Sequence, residues 1–159
     1  MEAIVEQPSA YELERGKPIP TTLHAIIQSN LVFELRSRYR QQYRILSELS
    51  LDTPPNGATP DVVVYPFFEA DFAHEYPARR PDAPLLCVEI QSPSQSLDEM
   101  VDKANVYFAF GVTSCWIVQP RIEGVLVYDQ PNHYQFFHHN DILKDTNLGL
   151  ELPLANVFA

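Results

Sequence analysis

Between Thr21 and Arg40, apolar side chains recur at Leu23, Ile27, Leu31 and Leu35, with Ile26 beside them. Spacing by four is one face of a helix, and a threonine stands ready to cap its start. The pattern predicts a helix of about 18 residues. "YRILSELSLD" then alternates. Tyr43, Ile45, Ser47 and Leu49 go one way, and Arg44, Leu46, Glu48 and Ser50 the other. That period predicts a strand. "TPPNGATP" reads as a turn, and "DVVVYPFF", headed by Asp61, as a second strand. "EADFAHEYPARRPDAP" is a polar excursion. "LLCVEIQS" is apolar on both faces and reads as a central strand. "PSQSLDEMVDKANVYFAFGV" is a helix, with apolar Leu97, Met100, Val101, Ala104, Tyr107 and Phe108 and with Gly111 as its stop. "TSCWIVQP" is a third apolar strand. "GVLVYDQPNHYQFFHH" gives two short strands around an Asp-Gln-Pro-Asn turn, and "LGLELPLANVF" closes the chain.

This order predicts an α/β domain with a mixed central sheet, helices against it and a C-terminal β-hairpin. The unit from 85 to 119 should be a right-handed parallel crossover, and the strands before it can pair antiparallel. Residues 1–20 read as irregular, apart from a short strand or turn at "YELERGKPI". A chain of 159 residues without an internal repeat or linker fits a single domain over 1–159. Fourteen prolines against five glycines make stiff loops and argue against a glycine-rich phosphate loop. The longest apolar run, Val62 to Phe68, is too short to span a bilayer, and the start of the chain does not read as a signal peptide. A cytoplasmic protein with no membrane partner is the expectation. Cys87 and Cys115 then read as reduced core thiols; a disulfide would require their strands to be neighbours.

The formal net charge of -10 argues against loose, charge-driven binding to nucleic acid. It leaves room for a local basic face. Four of the eleven basic residues, Arg36, Arg38, Arg40 and Arg44, fall in "RSRYRQQYR". They read either as a solvated helix end, where cations are favourable, or as a weak nucleic-acid contact.

Glu89 raises a sharper question, because it sits inside an apolar strand. A buried carboxylate must be paired, hydrogen-bonded or bound to a metal. Alternation puts Cys87, Glu89 and Gln91 on one face, and Asp61 and Tyr65 on one side of their strand. If the two strands are neighbours, Asp61 and Glu89 approach each other at one end of the sheet. Two such carboxylates repel unless a cation or a shared proton lies between them, and oxygen ligands on rigid strands suit Mg2+ or Mn2+. The plainer readings are a turn acid after Pro60 and a core carboxylate tied to an amide or an arginine.

"PDVVVYP", a gap of about twenty residues, and "LLCVEIQSPSQSLDEMVDKANVYFAFGVTSCWIV" together resemble the PD-(D/E)XK, restriction endonuclease-like nuclease superfamily. More narrowly, they resemble its Uma-type family, described as a domain of unknown function. The resemblance implies metal-dependent hydrolysis of phosphodiester bonds in DNA, with Asp61 and Glu89 holding the divalent ion. The superfamily usually has a lysine two residues after the glutamate. Here that position is Gln91, which can orient a water or ligate but carries no charge. Lys103, on the following helix, is the replacement that the narrower family implies. The alternative for Lys103 is an exposed pair with Glu99 at i, i+4. His24 is where the family tends to place a histidine, and could contact a phosphate or a metal-bound water. Glu48 and Glu12 are accessory candidates. A homodimer is expected, because duplex cleavage often uses two copies.

His133, His138 and His139 lie on an exposed hairpin, without the neighbouring ligands of a zinc site. Nucleotide-binding, hydrolase-elbow and zinc-protease motifs are absent from the sequence. A nucleophilic Cys87 working with His24 is disfavoured, because a thiol in an apolar strand is inert. The competing class is a nuclease fold kept as a binding or assembly module with little or no catalysis. The acidic charge and Gln91 motivate it. A basic groove reaching Asp61 and Glu89 would favour the enzyme.

Overall fold

The computed structural model describes residues 7, 10 and 17–159. Helix α1 (Thr22–Tyr39) starts where Thr21 Oγ1 accepts the His24 N–H, and it buries Ile27, Leu31 and Leu35. It leads into β1 (Tyr43–Ser47), β2 (Val62–Pro66) and β3 (Leu86–Ile90). Helix α2 (Leu97–Phe110) crosses to β4 (Ser114–Gln119), and β5 (Gly124–Gln130) and β6 (His133–His138) follow. These six strands form one sheet in the order β1-β2-β3-β4-β5-β6. Only β3 and β4 run parallel; every other neighbouring pair is antiparallel. The mixed sheet is therefore as the alternation and the crossover require.

Each face of the sheet carries its own core. On one side Leu31, Leu35, Val62, Val88 and Trp116 pack together, covered by α1, a second hairpin of β7 (Ile142–Asp145) and β8 (Leu150–Pro153), and the short α3 (Leu154–Val157). On the other side Val63, Tyr65, Cys87 and Ile117 pack against Met100, Ala104 and Tyr107 of α2. Helix α2 is fixed at both ends. Ser96 Oγ accepts the Glu99 N–H at 3.1 Å, and Gly111 closes the helix at φ +112°, where a side chain would be strained. That anchoring sets which face of α2 looks down at β3.

Four expectations need correction. Strand β1 stops at Ser47, because Glu48 turns the chain at φ +50°; Leu49 then packs with Leu46 and leaves the alternation. Arg44 belongs to β1 and not to the helix end. Its guanidinium donates to the Phe68 carbonyl and lies over the Phe67 and Phe68 rings. The turn between β5 and β6 is only Pro131 and Asn132, with Asn132 at φ +61° and an irregularity near Tyr128 absorbing the register. The closing segment, read as a single piece, is β8 and α3, and β8 pairs with β7, in a stretch given no element by the sequence pattern. Cys87 and Cys115 are in register on neighbouring strands, and both remain free, buried thiols. No helix among the described residues is long and apolar enough to cross a membrane.

Candidate active site

The β2–β3 ladder ends at the pair of Val62 with Val88. Just before β2, the Asp61 N–H donates to the Val88 carbonyl at 3.0 Å, which sets Asp61 beside the end of β3 that carries Glu89. Both side chains are almost wholly buried, at 1% and 4% exposure. The pair sits where β3 ends, at the carboxyl edge of the parallel β3–β4 unit, which is where open α/β sheets place their sites.

Asp61 is saturated with partners. Its Oδ1 accepts from Lys17 Nζ at 2.6 Å and His24 Nε2 at 3.0 Å, and its Oδ2 accepts the Ile90 N–H at 2.7 Å. Burial opposes ionisation of Asp61. The hydrogen bond from His24 and the charge on Lys17 overcome it and hold the carboxyl at about 2. Glu89 is the opposite case. Burial raises its pKa first and the Asp61 charge raises it further, against the charges of Lys103 and Lys17 and the Tyr107 hydrogen bond. The Tyr107 hydroxyl donates to Glu89 Oε1, and Lys103 Nζ stands 3.8 Å from Glu89 Oε2. Lys103 and Tyr107 are one turn apart on α2, so one helix face delivers both.

The accessory candidates divide. His24 joins the site through Asp61, and its Nδ1 is buried with no hydrogen-bond partner among the described residues. An orphaned polar atom of this kind costs about 1–3 kcal/mol and marks a position kept for something other than stability. Glu48 lies at the rim, with Oε1 3.9 Å from Lys17 Nζ and its N–H donating to the Asp61 carbonyl. Glu12 lies outside the described residues. Gln91 is engaged elsewhere: its amide donates to the Gln95 carbonyl and accepts from Gln119 Nε2. Lys103, not Gln91, places a positive charge beside Glu89. Lys17 was not foreseen. The only sequence signal for it is a cation held in the proline-stiffened "GKPIP" just before α1.

The basic stretch also divides. Arg36 and Arg40 line a groove of about 1010 Å3 with Gln28, Ser47 and Glu48. Gln28, on the wall of this groove, donates through Nε2 to the Asp61 backbone carbonyl at 2.9 Å. Arg38 pairs with Glu34 on its own helix, and Arg44 is held by Phe68. A second groove, of about 550 Å3, carries Lys17, Arg79 and Lys103 along its walls, with Asp102 as its acid. The Arg79 guanidinium lies so close to Gly57 that a Cβ there would meet it at 2.7 Å. The Cys87 thiol is pushed far up by burial and is no nucleophile.

Mg2+ takes one or two carboxylates and keeps several waters. Asp61 and Glu89 supply two carboxylates, and their mutual repulsion is what a cation would relieve. Among the described residues no group of three histidine, cysteine or acidic side chains forms a ready cage, so the remaining ligands would be water or phosphate oxygen. The donor chemistry fits.

Residues 1–155 match the family model described as Uma2, "Putative restriction endonuclease". The fold also matches a crystal structure described as a putative nuclease belonging to DUF820 from Anabaena variabilis, with a TM-score of 0.76. Identity is 23%, and the match covers 89% of this chain and 83% of that one. No curated protein matches the chain.

Proposed function

Since this chain belongs to the Uma2 family, we propose that it is a metal-dependent endonuclease hydrolysing phosphodiester bonds in DNA. The observation that carries the reading is the pair Asp61 and Glu89, both buried and lining one small cavity, with Lys103 3.8 Å from Glu89. Asp61 and Glu89 would hold Mg2+ or Mn2+. Such an ion supplies charge neutralisation at the phosphate and a bound water of lowered pKa. His24 and the Ile90 N–H fix the Asp61 carboxylate, and Tyr107 fixes Glu89. Lys103, 28% exposed at its side chain, stabilises the charge that develops on the attacked phosphate. Arg36 and Arg40 line one groove and Lys17, Arg79 and Lys103 another, local basic surface that supports a nucleic-acid substrate despite the net charge of -10.

The test is incubation with supercoiled plasmid and Mg2+ or Mn2+. Nicking that stops on adding a chelator is the expected result. Retention of DNA with no strand breakage under either metal would replace this reading with the binding module. The reading includes a homodimer. Edge strand β6 exposes Tyr134 and Phe136 and has no lysine, glutamate or proline to block pairing with a second copy. Light scattering should give twice the monomer mass of 18.2 kDa, and a monomer at micromolar concentration would remove the dimer from the proposal.

A further inference from the structure

Lys17 is buried, with 5% of its side chain exposed, and it lies among oxygens only. Its Nζ donates to Asp61 Oδ1 at 2.6 Å and to the Thr59 carbonyl at 2.6 Å, with Glu48 Oε1 at 3.9 Å. Two carboxylates and a carbonyl are the donors a hard cation takes. The residues after Lys17 also wall the site. Lys17, Pro18, Ile19 and Pro20 line the cavity against His24, Asp61 and Glu89, and that cavity measures only about 10 Å3. This is room for about one water, and a partly hydrated Mg2+ needs more. Pro18 and Pro20 stiffen the segment and bias Lys17 to an extended backbone, so the ammonium is presented rather than trailing free.

We propose that Lys17 is a built-in cation occupying the metal seat at Asp61, and that a divalent ion binds only by displacing the Lys17–Pro20 strap. The inference rests on the nuclease reading, because it concerns the same acids. It makes the resting protein a closed form whose activation threshold is set by divalent-ion concentration. Lysine is also the right residue for such a plug. Its compact ammonium donates to several oxygens and withdraws on a flexible stem, where an arginine fork would lock onto the carboxylate.

Calorimetric titration with Mn2+ on the full chain tests this. Lys17→Met should bind Mn2+ at least about tenfold more tightly than the parent, since a like charge a few ångströms from the ion is gone. The gain should vanish in Lys17→Met/Asp61→Asn. Should Lys17→Met fail to fold, the parent alone gives the answer. Acylation of Lys17 Nζ by an amine-reactive ester, read by mass spectrometry, should rise at least about tenfold in Mg2+ over chelator. Equal Mn2+ affinity in parent and Lys17→Met overturns the plug and leaves the nuclease reading standing. So does Lys17 labelling that stays flat while Mg2+ binding is measured. No binding to either chain removes both.

Discussion

Glu89→Gln is expected to abolish measurable Mg2+ and Mn2+ binding and to slow plasmid hydrolysis by about 10³-fold or more. The substitution keeps the shape of the side chain and an oxygen for the Tyr107 hydroxyl, so packing at this buried position is preserved. What it removes is the second negative charge beside Asp61. A single carboxylate whose Oδ1 is already shared by Lys17 and His24 is a poor hard-cation ligand. The pH dependence gives an independent check. The pKa of Glu89 is raised above its ordinary 4.5, first by burial and then by Asp61, so the folded protein holds this proton longer than the unfolded chain. Stability from this group is therefore greatest below 4.5 and declines as pH rises through the raised value. A bound ion favours the ionised form. Parent affinity should climb with pH above 4.5 and binding should release a proton; both effects should be missing in Glu89→Gln. Asp61 has the reverse sign. Held at about 2, it contributes stability above its ordinary 3.8, and this is lost as pH falls from there towards 2. A Glu89→Gln chain that binds Mn2+ like the parent would sink the metal assignment.

Glu89 was legible in the sequence because an acid in an apolar strand breaks the local rule, and such breaks concentrate at functional sites. Asp61 followed once the two strands were taken as neighbours. Alternation is a local property, so it gave the faces of β2 and β3 correctly. At Gln91, one residue past the end of β3, alternation gave no sign of the side chain's partners, Gln95 and Gln119. Lys17 was illegible for a different reason. Its contact with Asp61 spans 44 residues, and no periodic pattern connects a proline-flanked lysine to a strand that far away. Yet the chain has only three lysines, Lys17, Lys103 and Lys144, and two of them converge on the buried acids. Arg36 and Arg40 line one groove, while Arg38 and Arg44 do not. The helix period separates Arg36 and Arg40 from Arg38, and the early start of β1 removes Arg44.

The largest stability effect is expected away from the acids. Asp145, 2% exposed, ends β7, in the stretch 140–147 to which the sequence pattern assigned no element. It accepts from Trp116 Nε1 at 2.9 Å, Ser114 Oγ at 3.2 Å and the Leu148 N–H at 3.2 Å. One carboxylate thus joins β4 to the turn of the β7–β8 hairpin, and the hairpin covers Trp116 on the α1 side of the sheet. Asp145→Ala strands three donors, two of them on β4, at a cost of about 1–3 kcal/mol for each that stays dry. Water reaches some of them, so a net loss of about 3–5 kcal/mol is expected, or a fall in Tm of roughly 10 °C. Asp145→Asn keeps one acceptor oxygen and should lose about half as much. Urea unfolding of the three proteins decides the matter, with an unchanged m-value showing that the same surface is exposed in each. A loss under about 1 kcal/mol in Asp145→Ala would mean that the hairpin is held by its apolar residues alone. In that case β4, and with it the edge of β3 that carries Glu89, would owe its position to packing rather than to this buried charge.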